Sequence, residues 1–373
     1  MKIIIIGGHL SPALSLIEEL RSNEIFFIGR KYSFEGDKAL SLEYLLITKL
    51  GIPFIPLTTG RLQRRLSKHT FTSLLKSPVG FTQSLSTLVK IKPDIVMGFG
   101  GYLSLPVIFA ASFLGIPVVI HEQTLEAGLA NKIASKFANK ICTSWKEDEK
   151  YFPKNKIILT GNPIRKELLE SHSNNFNFKN DLPVIYITGG SSGSHTLNVA
   201  VFGCIERLLN FANIIHQTGG AKEFNDFKKA RELKDSLRVT KGEYRIKDFL
   251  DSDEVSEAFK KSKMVISRSG INTVTELTFF SKPCILIPLS FSQKNEQLKN
   301  ALFIKNLGLA EIIEQDKLNP LILFDEIDKM VKNIDKYVLN SGQDKNIFKN
   351  AAKNIEAVIR AMANEKNSKK KNK

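Results

Sequence analysis

Cysteine is scarce in this chain of 373 residues: Cys142, Cys204 and Cys284 are the only three, and no two of them form a C-x-x-C pair. Neither a disulfide framework nor a zinc site is therefore expected. The first residues also lack the basic head and small-residue cleavage site of a signal peptide, because they pass directly into an apolar run. We expect the protein to work in the reducing cytoplasm.

Charge is absent from residues 95–120, a run long enough to cross a bilayer as a helix with a rise of ~1.5 Å per residue. Glycine and proline interrupt this run at Gly98, Gly100, Gly101, Pro106, Gly115 and Pro117. Such interruptions favour a strand, a glycine loop, a buried helix and a second strand, as in a parallel sheet that is covered on both faces. We expect this run to form part of a domain core and not a transmembrane helix.

Negative charge is in deficit, since the net charge is +16 and the pI is near 9.5. Such a balance indicates a polyanionic partner or an anionic surface. No nucleic-acid partner is expected, because the chain has no zinc-finger spacing, no RNP-type aromatic motif and no heptads after a basic stretch. An anionic membrane surface fits residues 61–81, where an ordinary amphipathic segment is the alternative. The basic and apolar side chains of this stretch are Arg61, Arg64, Arg65, Lys68, Leu74, Leu75, Lys76, Val79 and Phe81.

Strands rich in Ile and Val alternate with amphipathic helical stretches along the whole chain, which predicts the α/β class with parallel sheets. The first half has such strands at residues 3–6, 25–28, 95–97, 117–120 and 156–159, and the second half at 184–188 and near 214, 265 and 285–287. Both halves open with a strand that ends in Gly-Gly, and a polar connector, residues 167–181, separates them. We therefore predict two Rossmann-like domains with a ligand cleft between them. Their boundaries are residues 1–164 and 165–345, followed by a helix at 346–365 that returns to the first domain and a disordered basic tail at 366–373.

The second half opens with the turn Gly189-Gly190-Ser191-Ser192-Gly193-Ser194 between a strand and a helix. Backbone N–H groups and the positive end of the helix dipole attract phosphate at such a turn, and glycine lets a diphosphate approach closely. No Gly-Lys-[Ser/Thr] follows, so this is not a Walker A loop. A purely structural turn is the alternative.

A later strand leads into a helix that begins near Arg268 and contains Glu276. We expect Ser269 or Asn272 to cap this helix and Glu276 to lie within about two turns of its start. A carboxylate there suits the two hydroxyl donors of a ribose. A carboxylate that only complements the helix dipole is the alternative.

Further glycine-rich and polar stretches of the first half also follow predicted strands. At this edge open α/β sheets bind ligands, so several such loops on both halves favour a shared cleft. These stretches are Gly7-Gly8-His9, Gly98-Phe99-Gly100-Gly101-Tyr102, His121-Glu122-Gln123 and Gly161-Asn162-Pro163-Ile164-Arg165.

In this order the motifs resemble the MurG family over residues 1 to about 360. Members of this family move N-acetylglucosamine from UDP-GlcNAc to the lipid-linked muramyl-pentapeptide, lipid I, and so make lipid II. The resemblance implies a GT-B glycosyltransferase of peptidoglycan synthesis, and hence of cell-wall biogenesis, cell shape, cell division and the cell cycle, held at the cytoplasmic face of the cell membrane as a peripheral protein. Besides the motifs above, it rests on Ala127-Gly128-Leu129, Leu197-Asn198, His216-Gln217-Thr218-Gly219, Gln297 and Asn300-Ala301.

The resemblance also implies roles for individual residues. Ser191, within the Gly190 to Gly193 turn, and Arg165 would lie near the donor diphosphate, and backbone groups of Leu250 would meet the uracil. Glu276 would hold the ribose, and Gln297 would reach the GlcNAc hydroxyls. The helix start would line the nucleotide and sugar with Ile271, Asn272, Thr273, Val274 and Thr275. His9, after Gly7 and Gly8, matches the histidine that closes the family's first glycine loop.

Two departures from the family pattern stand out. The family's first loop reads Gly-Gly-Thr-Gly-Gly-His, whereas here Ile5-Ile6 precede Gly7-Gly8-His9, so this loop is shorter and offers fewer donors. The family's asparagine after His-Glu-Gln is here Thr124, which keeps a hydroxyl for the sugar but loses the amide.

The predicted reaction is a direct, inverting displacement in which His9 accepts the proton of the acceptor hydroxyl. A histidine is suited to this because its ordinary pKa of ~6.5 leaves it mostly neutral in the cytoplasm. No metal or cofactor is expected, since the only Asp-x-Asp match, Asp251-Ser252-Asp253, lies in a predicted loop. The alternatives are another UDP-sugar transferase, a UDP-GlcNAc 2-epimerase, or a weakly active UDP-sugar-binding protein, against which the retained His9 argues.

Overall fold

The computed structural model describes residues 1–32, 39–58, 68–170, 172–221, 223–238, 240–292, 295–340 and 346–371, without the side chains of 68–77, 366, 367 and 369–371. The chain divides into two compact units. The first comprises Met1–Arg165 with Ile347–Lys373, and the second Lys166–Asn346. Each unit has its own parallel sheet, which confirms the predicted α/β class.

The sheet of the first unit has seven strands among the described residues, in the order β3-β2-β1-β4-β5-β6-β7. All neighbouring strands are parallel. The strands are β1 (Lys2–Ile6), β2 (Glu24–Gly29), β3 (Phe54–Pro56), β4 (Ile95–Gly98), β5 (Val118–Glu122), β6 (Lys140–Thr143) and β7 (Ile157–Leu159). The helices that connect them are α1 (Leu10–Glu19), α2 (Leu42–Lys49), α3 (Lys68–Ile91), α4 (Ser104–Phe113) and α5 (Leu129–Ala134).

Strand β1 shows why this sheet lies in the interior of its unit. Successive side chains of a strand point to opposite faces, so Ile4 and Ile6 join one apolar core while Ile3 and Ile5 join another. All four are fully buried. Both faces of the sheet are therefore covered, as its continuous apolar strands require.

The uncharged run at residues 95–120 forms β4, α4 and β5. The prediction that Gly and Pro divide it into strand, buried helix and strand is confirmed. Within the described ranges, no helix is both long and apolar enough to cross a membrane.

The second unit has a six-stranded parallel sheet in the described part of the chain, in the order β10-β9-β8-β11-β12-β13. Its strands are β8 (Val184–Thr188), β9 (Asn213–Gln217), β10 (Tyr244–Lys247), β11 (Met264–Ser267), β12 (Cys284–Leu286) and β13 (Ala310–Ile312). Its helices are α6 (Lys166–Leu169), α7 (His195–Phe202), α8 (Ile205–Leu208), α9 (Asp226–Ser236), α10 (Ser252–Lys261), α11 (Ile271–Phe280), α12 (Glu296–Asn306) and α13 (Pro320–Lys332).

The chain ends in the short helix α14 (Asn346–Lys349) and the long helix α15 (Ala351–Lys371). Ile355 and Ile359 of α15 are fully buried in the core that contains Ile3 and Ile5 of β1. Residues 366–373 were predicted to be a disordered tail; α15 extends to Lys371, and lysine is a good helix former. Residues 372 and 373 lie outside the described residues.

The stretch predicted to face a membrane is described only in part. Arg61, Arg64 and Arg65 lie outside the described residues, as do the side chains of Lys68, Leu74, Leu75 and Lys76. Of the two remaining residues, Val79 is half exposed, whereas Phe81 packs against the core of the first unit. Phe81 therefore contributes to folding rather than to an apolar surface.

Candidate active site

The second glycine turn (residues 189–194) joins β8 to α7. Gly190 and Gly193 have φ angles of 83° and 81°, a conformation that favours glycine. The Gly190 N–H donates to Thr188 Oγ1 over 2.9 Å, and Ser191 is exposed at the tip of the turn. The turn therefore presents Ser191 beside the positive end of the α7 dipole, where a phosphate is stabilised.

The turn between β9 and α9 packs against the second glycine turn. A Cβ on Gly193 would overlap the carbonyl oxygen of Thr218, and the Gly220 N–H donates to the Ser191 carbonyl over 3.1 Å. Only glycine fits at Gly193, because both its φ angle and its surroundings exclude a side chain. The two turns thus hold each other in one conformation.

Arg268 is a buried cation beside this turn, and the sequence analysis assigned it no role. Its Nε and Nη2 donate to Ser194 Oγ over 3.1 and 2.7 Å, and its Nη1 donates to the Ile287 carbonyl over 3.0 Å. Burial lowers its pKa to about 10, so it stays charged at neutral pH. The acceptors of its three hydrogen bonds are neutral oxygens, and no carboxylate of the described residues forms an ion pair with Arg268. The positive charge is thus available to an anion at the turn.

Helix α11 begins without a side-chain cap. Its N-cap is Gly270, and no side chain accepts a hydrogen bond there. The prediction that Ser269 or Asn272 caps the helix is wrong, since Ser269 Oγ instead donates to the Gln297 carbonyl over 2.8 Å and Asn272 lies inside the first turn. The positive end of the α11 dipole thus lies at Gly270, where it suits an anionic ligand.

The residues of α11 that were predicted to line the ligand divide into two sets. Val274 and Thr275 are buried, and Thr275 Oγ1 donates to the Ile271 carbonyl over 2.9 Å, so these side chains serve the core. Asn272 is exposed and Glu276 partly exposed. Ile271 is buried, and Thr273 is partly exposed. Only part of the predicted set presents side chains to a ligand.

Glu276 lies close to strand β8. The pKa of the Tyr186 phenol in that strand is raised by burial and, in addition, by the negative charge of Glu276. This proximity places the carboxylate near the strand that leads into the second glycine turn. The predicted ribose contact and the predicted phosphate contact thus belong to one region of the second unit.

Leu250 lies in a loop and Gln297 at a helix start of the same unit. Leu250 is buried between β10 and α10, and Gln297 on α12 accepts the Leu289 N–H through Oε1 over 3.1 Å. The Asp-x-Asp match begins α10 and is not in a loop: Asp251 is the N-cap of a capping box with Glu254, and Asp253 is in the first turn. No group of three or more His, Cys, Asp or Glu within the described ranges is arranged to hold a metal ion.

The first glycine turn (residues 7–9) joins β1 to α1. The Gly7 N–H donates to the Ile28 carbonyl over 2.8 Å, and the His9 N–H donates to the Phe99 carbonyl over 3.1 Å. A Cβ on Gly8 would lie 2.6 Å from that same Phe99 oxygen. Two of the three N–H groups of this turn are thus used by backbone carbonyls.

Glu43, near the start of α2, fills the space above this turn. A Cβ on Gly7 would overlap its carboxylate, and a Cβ on Gly29 would lie 2.6 Å from its Oε2. The Arg30 N–H donates to Oε2 over 3.1 Å. Burial raises the pKa of Glu43, while the backbone N–H and the charge of Arg30 lower it in part. No local sequence pattern relates Glu43 to Gly7.

His9 is the N-cap of α1 by its backbone, but its side chain makes no capping hydrogen bond. The His9 side chain therefore does not serve as the cap of this helix. Burial lowers its pKa below the ordinary 6.5, and the nearby charge of Glu122 raises it in part. His9 is thus neutral at pH 7 and able to accept a proton.

Glu122 is a buried carboxylate with a complete set of donors. Its Oε1 accepts from the Thr124 N–H over 3.0 Å and from Thr124 Oγ1 over 2.7 Å. Its Oε2 accepts from the Gly128 N–H and from Asn131 Nδ2, each over 3.0 Å. Thr124 is therefore turned inward, and its hydroxyl is used by Glu122 rather than presented to a sugar as predicted.

His121 and Arg165 complete the predicted set. His121 is fully buried, its Nε2 lies 3.2 Å from both Ser144 Oγ and the Gly161 carbonyl, and burial lowers its pKa to about 4. It is a neutral structural histidine next to the Glu122 cluster. Arg165 is exposed at the last position of the first segment of its unit.

The two units thus carry different chemistry. The second has an exposed serine turn, an uncapped helix start and a buried cation, which together suit a nucleotide diphosphate. The first has a neutral histidine near a fixed carboxylate, which suits proton acceptance. Two parallel α/β units with these features define a nucleotide-sugar enzyme of GT-B architecture.

Comparison with known proteins gives the family. The profile of the glycosyltransferase family 28 N-terminal domain matches residues 6–143, and that of the C-terminal domain matches residues 184–356. The chain is 35% identical over 350 residues, 91% of this chain and 93% of the relative, to the UDP-N-acetylglucosamine–N-acetylmuramyl-(pentapeptide) pyrophosphoryl-undecaprenol N-acetylglucosamine transferase of Lachnospira eligens. The chain belongs to the MurG family of glycosyltransferases.

Solved structures support the same fold. The crystal structure of Acinetobacter baumannii MurG superposes on this chain with a TM-score of 0.68 at 23% sequence identity. The match covers 94% of this chain and 93% of the Acinetobacter chain. The UDP-GlcNAc 2-epimerase of Neisseria meningitidis, solved with UDP-GlcNAc bound, superposes on this chain with a TM-score of 0.60 at 14% sequence identity. The match covers 97% of this chain and 100% of the epimerase chain. The GT-B fold is therefore common to transferases and epimerases, and the fold alone does not separate the two activities.

Proposed function

We infer that this protein is a hexosyltransferase that moves N-acetylglucosamine from UDP-GlcNAc to lipid I and forms lipid II in peptidoglycan synthesis. The observation that carries this conclusion is the 35% identity to a transferase of that name across 91% of the chain. Epimerases share the fold at far lower identity. The match includes both units, so we propose that this protein binds both the donor and the acceptor of that transferase.

For the donor, we propose that the second unit binds UDP-GlcNAc. Ser191, between Gly190 and Gly193, would contact the diphosphate together with the first turn of α11 and with Arg165. Arg268 would neutralise the charge of the diphosphate from beneath the turn, because it is buried and its bonds end on neutral oxygens.

The remaining donor contacts concern the nucleoside and the sugar. The carboxylate of Glu276 would accept hydrogen bonds from the two ribose hydroxyls. Backbone groups at Leu250 would contact the uracil, and Gln297 would contact the hydroxyls of the transferred sugar. The partial exposure of Glu276 and Gln297 is consistent with these contacts. Thr124 has no place in this proposal, because its hydroxyl bonds to Glu122.

For the reaction, we propose a direct displacement with His9 as the base. The 4-hydroxyl oxygen of the muramyl sugar attacks the anomeric carbon from the side opposite to UDP, and the bond between that carbon and the diphosphate oxygen breaks. The hydroxyl proton passes to the His9 imidazole, and UDP leaves with one more negative charge. That charge is stabilised by the α11 N-terminus and by Arg268. The configuration at the anomeric carbon is inverted.

Transfer itself is tested with radiolabelled UDP-GlcNAc and a lipid I analogue. Label should move from the nucleotide to the lipid-linked product. Conversion of UDP-GlcNAc to its 2-epimer without transfer would mean an epimerase, and tight UDP-GlcNAc binding without either product would mean a binding protein.

We also propose that the protein associates with the cytoplasmic face of the cell membrane as a peripheral protein. The net charge of +16 and the lipid-linked acceptor support this proposal. Sedimentation with vesicles should show binding that needs anionic lipid and weakens with added salt, because screening shortens the range of the attraction. Equal recovery on neutral vesicles would contradict it.

A further inference from the structure

The short loop between β10 and α10, residues 248–251, contains Leu250, whose backbone would contact the uracil. We propose that Glu254, in the first turn of α10, is a positioning residue that fixes this loop and thereby sets the preference of the donor site for uracil over cytosine. The proposal rests on the proposed function, because it concerns how the base of UDP-GlcNAc is recognised.

The carboxylate of Glu254 is attached to both ends of the loop. At the far end, Asp251 is the N-cap of α10: its side chain accepts from the Glu254 N–H over 2.9 Å, and Glu254 Oε2 accepts from the Asp251 N–H over 3.4 Å. At the near end, Glu254 Oε1 forms an ion pair with Nζ of Lys247, the last residue of β10. One side chain therefore holds the residues directly before and after residues 248–250.

Burial makes the partners of this carboxylate necessary. The Glu254 side chain is only 8% exposed, and Asn175 Nδ2 of the connector donates to the same Oε1 over 2.7 Å. A charge away from water is strongly unfavourable unless it is paired or hydrogen-bonded. Because its donors come from β10, from the N-cap and from the connector, the carboxylate keeps these three segments together.

The loop is also anchored by contacts of its own. The Leu250 side chain is buried, and the Phe249 N–H donates to Asp248 Oδ1 over 2.8 Å. The Lys247 carbonyl accepts from the Thr218 N–H over 3.0 Å, which ties the loop to the turn that packs against the second glycine turn. The backbone at Leu250 thus has a defined position relative to the proposed diphosphate site.

A backbone in a defined position distinguishes the two pyrimidines because their edges carry opposite hydrogen-bonding groups. Uracil has an N–H donor beside a carbonyl acceptor, whereas cytosine has a ring-nitrogen acceptor beside an amino donor. Backbone groups that match uracil therefore leave the groups of cytosine unpaired, but only while the backbone stays in place. A loop released at one end adjusts to either base, so the loss of Glu254 should relax the preference.

The test is the ratio of the affinities for UDP and CDP, measured by calorimetry. Glu254→Ala should reduce this ratio at least about fivefold, the effect of roughly one well-placed hydrogen bond to the base. Glu254→Gln keeps the capping box, in which Gln serves as Glu does, and should keep the ratio within about twofold of the wild type. Lys247→Met releases one end of the loop and should reduce the ratio at least about twofold.

Glu257→Ala is the matched control, because Glu257 is a buried carboxylate of the same helix. Its partners are Ser173, Asn175 and Phe176 of the connector and Lys261 of α10. All of them lie outside the loop at residues 248–251, so the ratio should equal that of the wild type.

An unchanged ratio in Glu254→Ala would overturn the proposal, and an unchanged ratio in Lys247→Met would do so if the first variant does not fold. A reduction of equal size in Glu257→Ala would also overturn it, because anchoring of α10 alone would then set the preference. A wild-type protein that binds neither nucleotide would instead contradict the proposed function, so the two failures are distinguishable.

Discussion

The two glycine turns open their units in the same way but have different side chains packed against them. The turn at residues 189–194 has an exposed serine and a buried arginine against Ser194. The turn at residues 7–9 has a carboxylate packed on Gly7 and ends in a histidine whose pKa is lowered by burial. A strand followed by Gly-Gly and a helix therefore does not specify phosphate binding by itself. The charges that distant segments bring to each turn differ, and the local motif does not specify them.

The largest expected effect is on the first turn. Replacing His9 by Ala should lower kcat for transfer by roughly 10² to 10⁴, the contribution of a general base. Because the pKa of His9 is lowered from 6.5, it loses its proton at lower pH, and the acid limb of the wild-type kcat/KM profile should lie below about pH 6.5. Steady-state kinetics across this range measure both effects. The control is His172→Ala, at an exposed histidine of the second unit, which should change neither kcat nor the pH profile. A His9→Ala variant with normal kcat would show that His9 is not the base.

Arg268 tests the charge of the second turn. Arg268→Met keeps an apolar stem but removes the cation, and we expect UDP affinity to fall by about 2 to 3 kcal/mol, as for the loss of a charge-assisted contact. Calorimetry on protein that still melts cooperatively gives the value. Arg231→Met, an exposed change of equal charge on α9, is the control. Equal affinities in the two variants would mean that Arg268 only supports Ser194.

Glu276 tests the nucleoside side of the same region. Glu276→Ala should remove two hydroxyl contacts and weaken UDP binding by ~1.5 to 3 kcal/mol. The comparison is with Glu314→Ala, at an exposed glutamate of the same unit. If the folded Glu276 variant binds UDP as the wild type does, the ribose contact belongs to another residue.

The smallest expected effect concerns a buried carboxyl near Glu122. Burial and, to a lesser extent, the negative charge of Glu122 raise the pKa of Asp148 to about 9. The folded protein therefore holds this proton at neutral pH, whereas the unfolded chain, with the ordinary value of 3.8, has released it. This difference costs stability increasingly as pH rises from 3.8 towards 9.

Asp148→Asn should remove this cost. We expect the free energy of unfolding at pH 7 to rise by on the order of 1 to 3 kcal/mol, with the gain shrinking as pH approaches about 4. Denaturant unfolding at the two pH values measures it. A gain of equal size at both would show that the carboxyl does not titrate as described.

Much of the fold was predictable from the sequence, because Ile-rich strands such as β1 and the glycine-divided run at residues 95–120 follow their local pattern. Short strands such as β3 and β6 were not predicted, since three or four residues of mixed polarity give no clear period. The glycine turns were predictable as turns. Their electrostatics were not, because Arg268 lies 74 positions from Ser194, and no local pattern links Glu43 to Gly7. Likewise, the inward orientation of Thr124 depends on the position of Glu122, which only the folded chain shows.

The most direct test of a division of labour between the two turns is the affinity of His9→Ala for UDP, measured by calorimetry beside its kcat. If the first turn supplies the base and the second holds the diphosphate, UDP should bind this variant within about twofold of the wild type while kcat falls by at least about 10². A loss of UDP affinity in proportion to the loss of kcat would contradict the account, because His9 would then hold the donor rather than accept the proton.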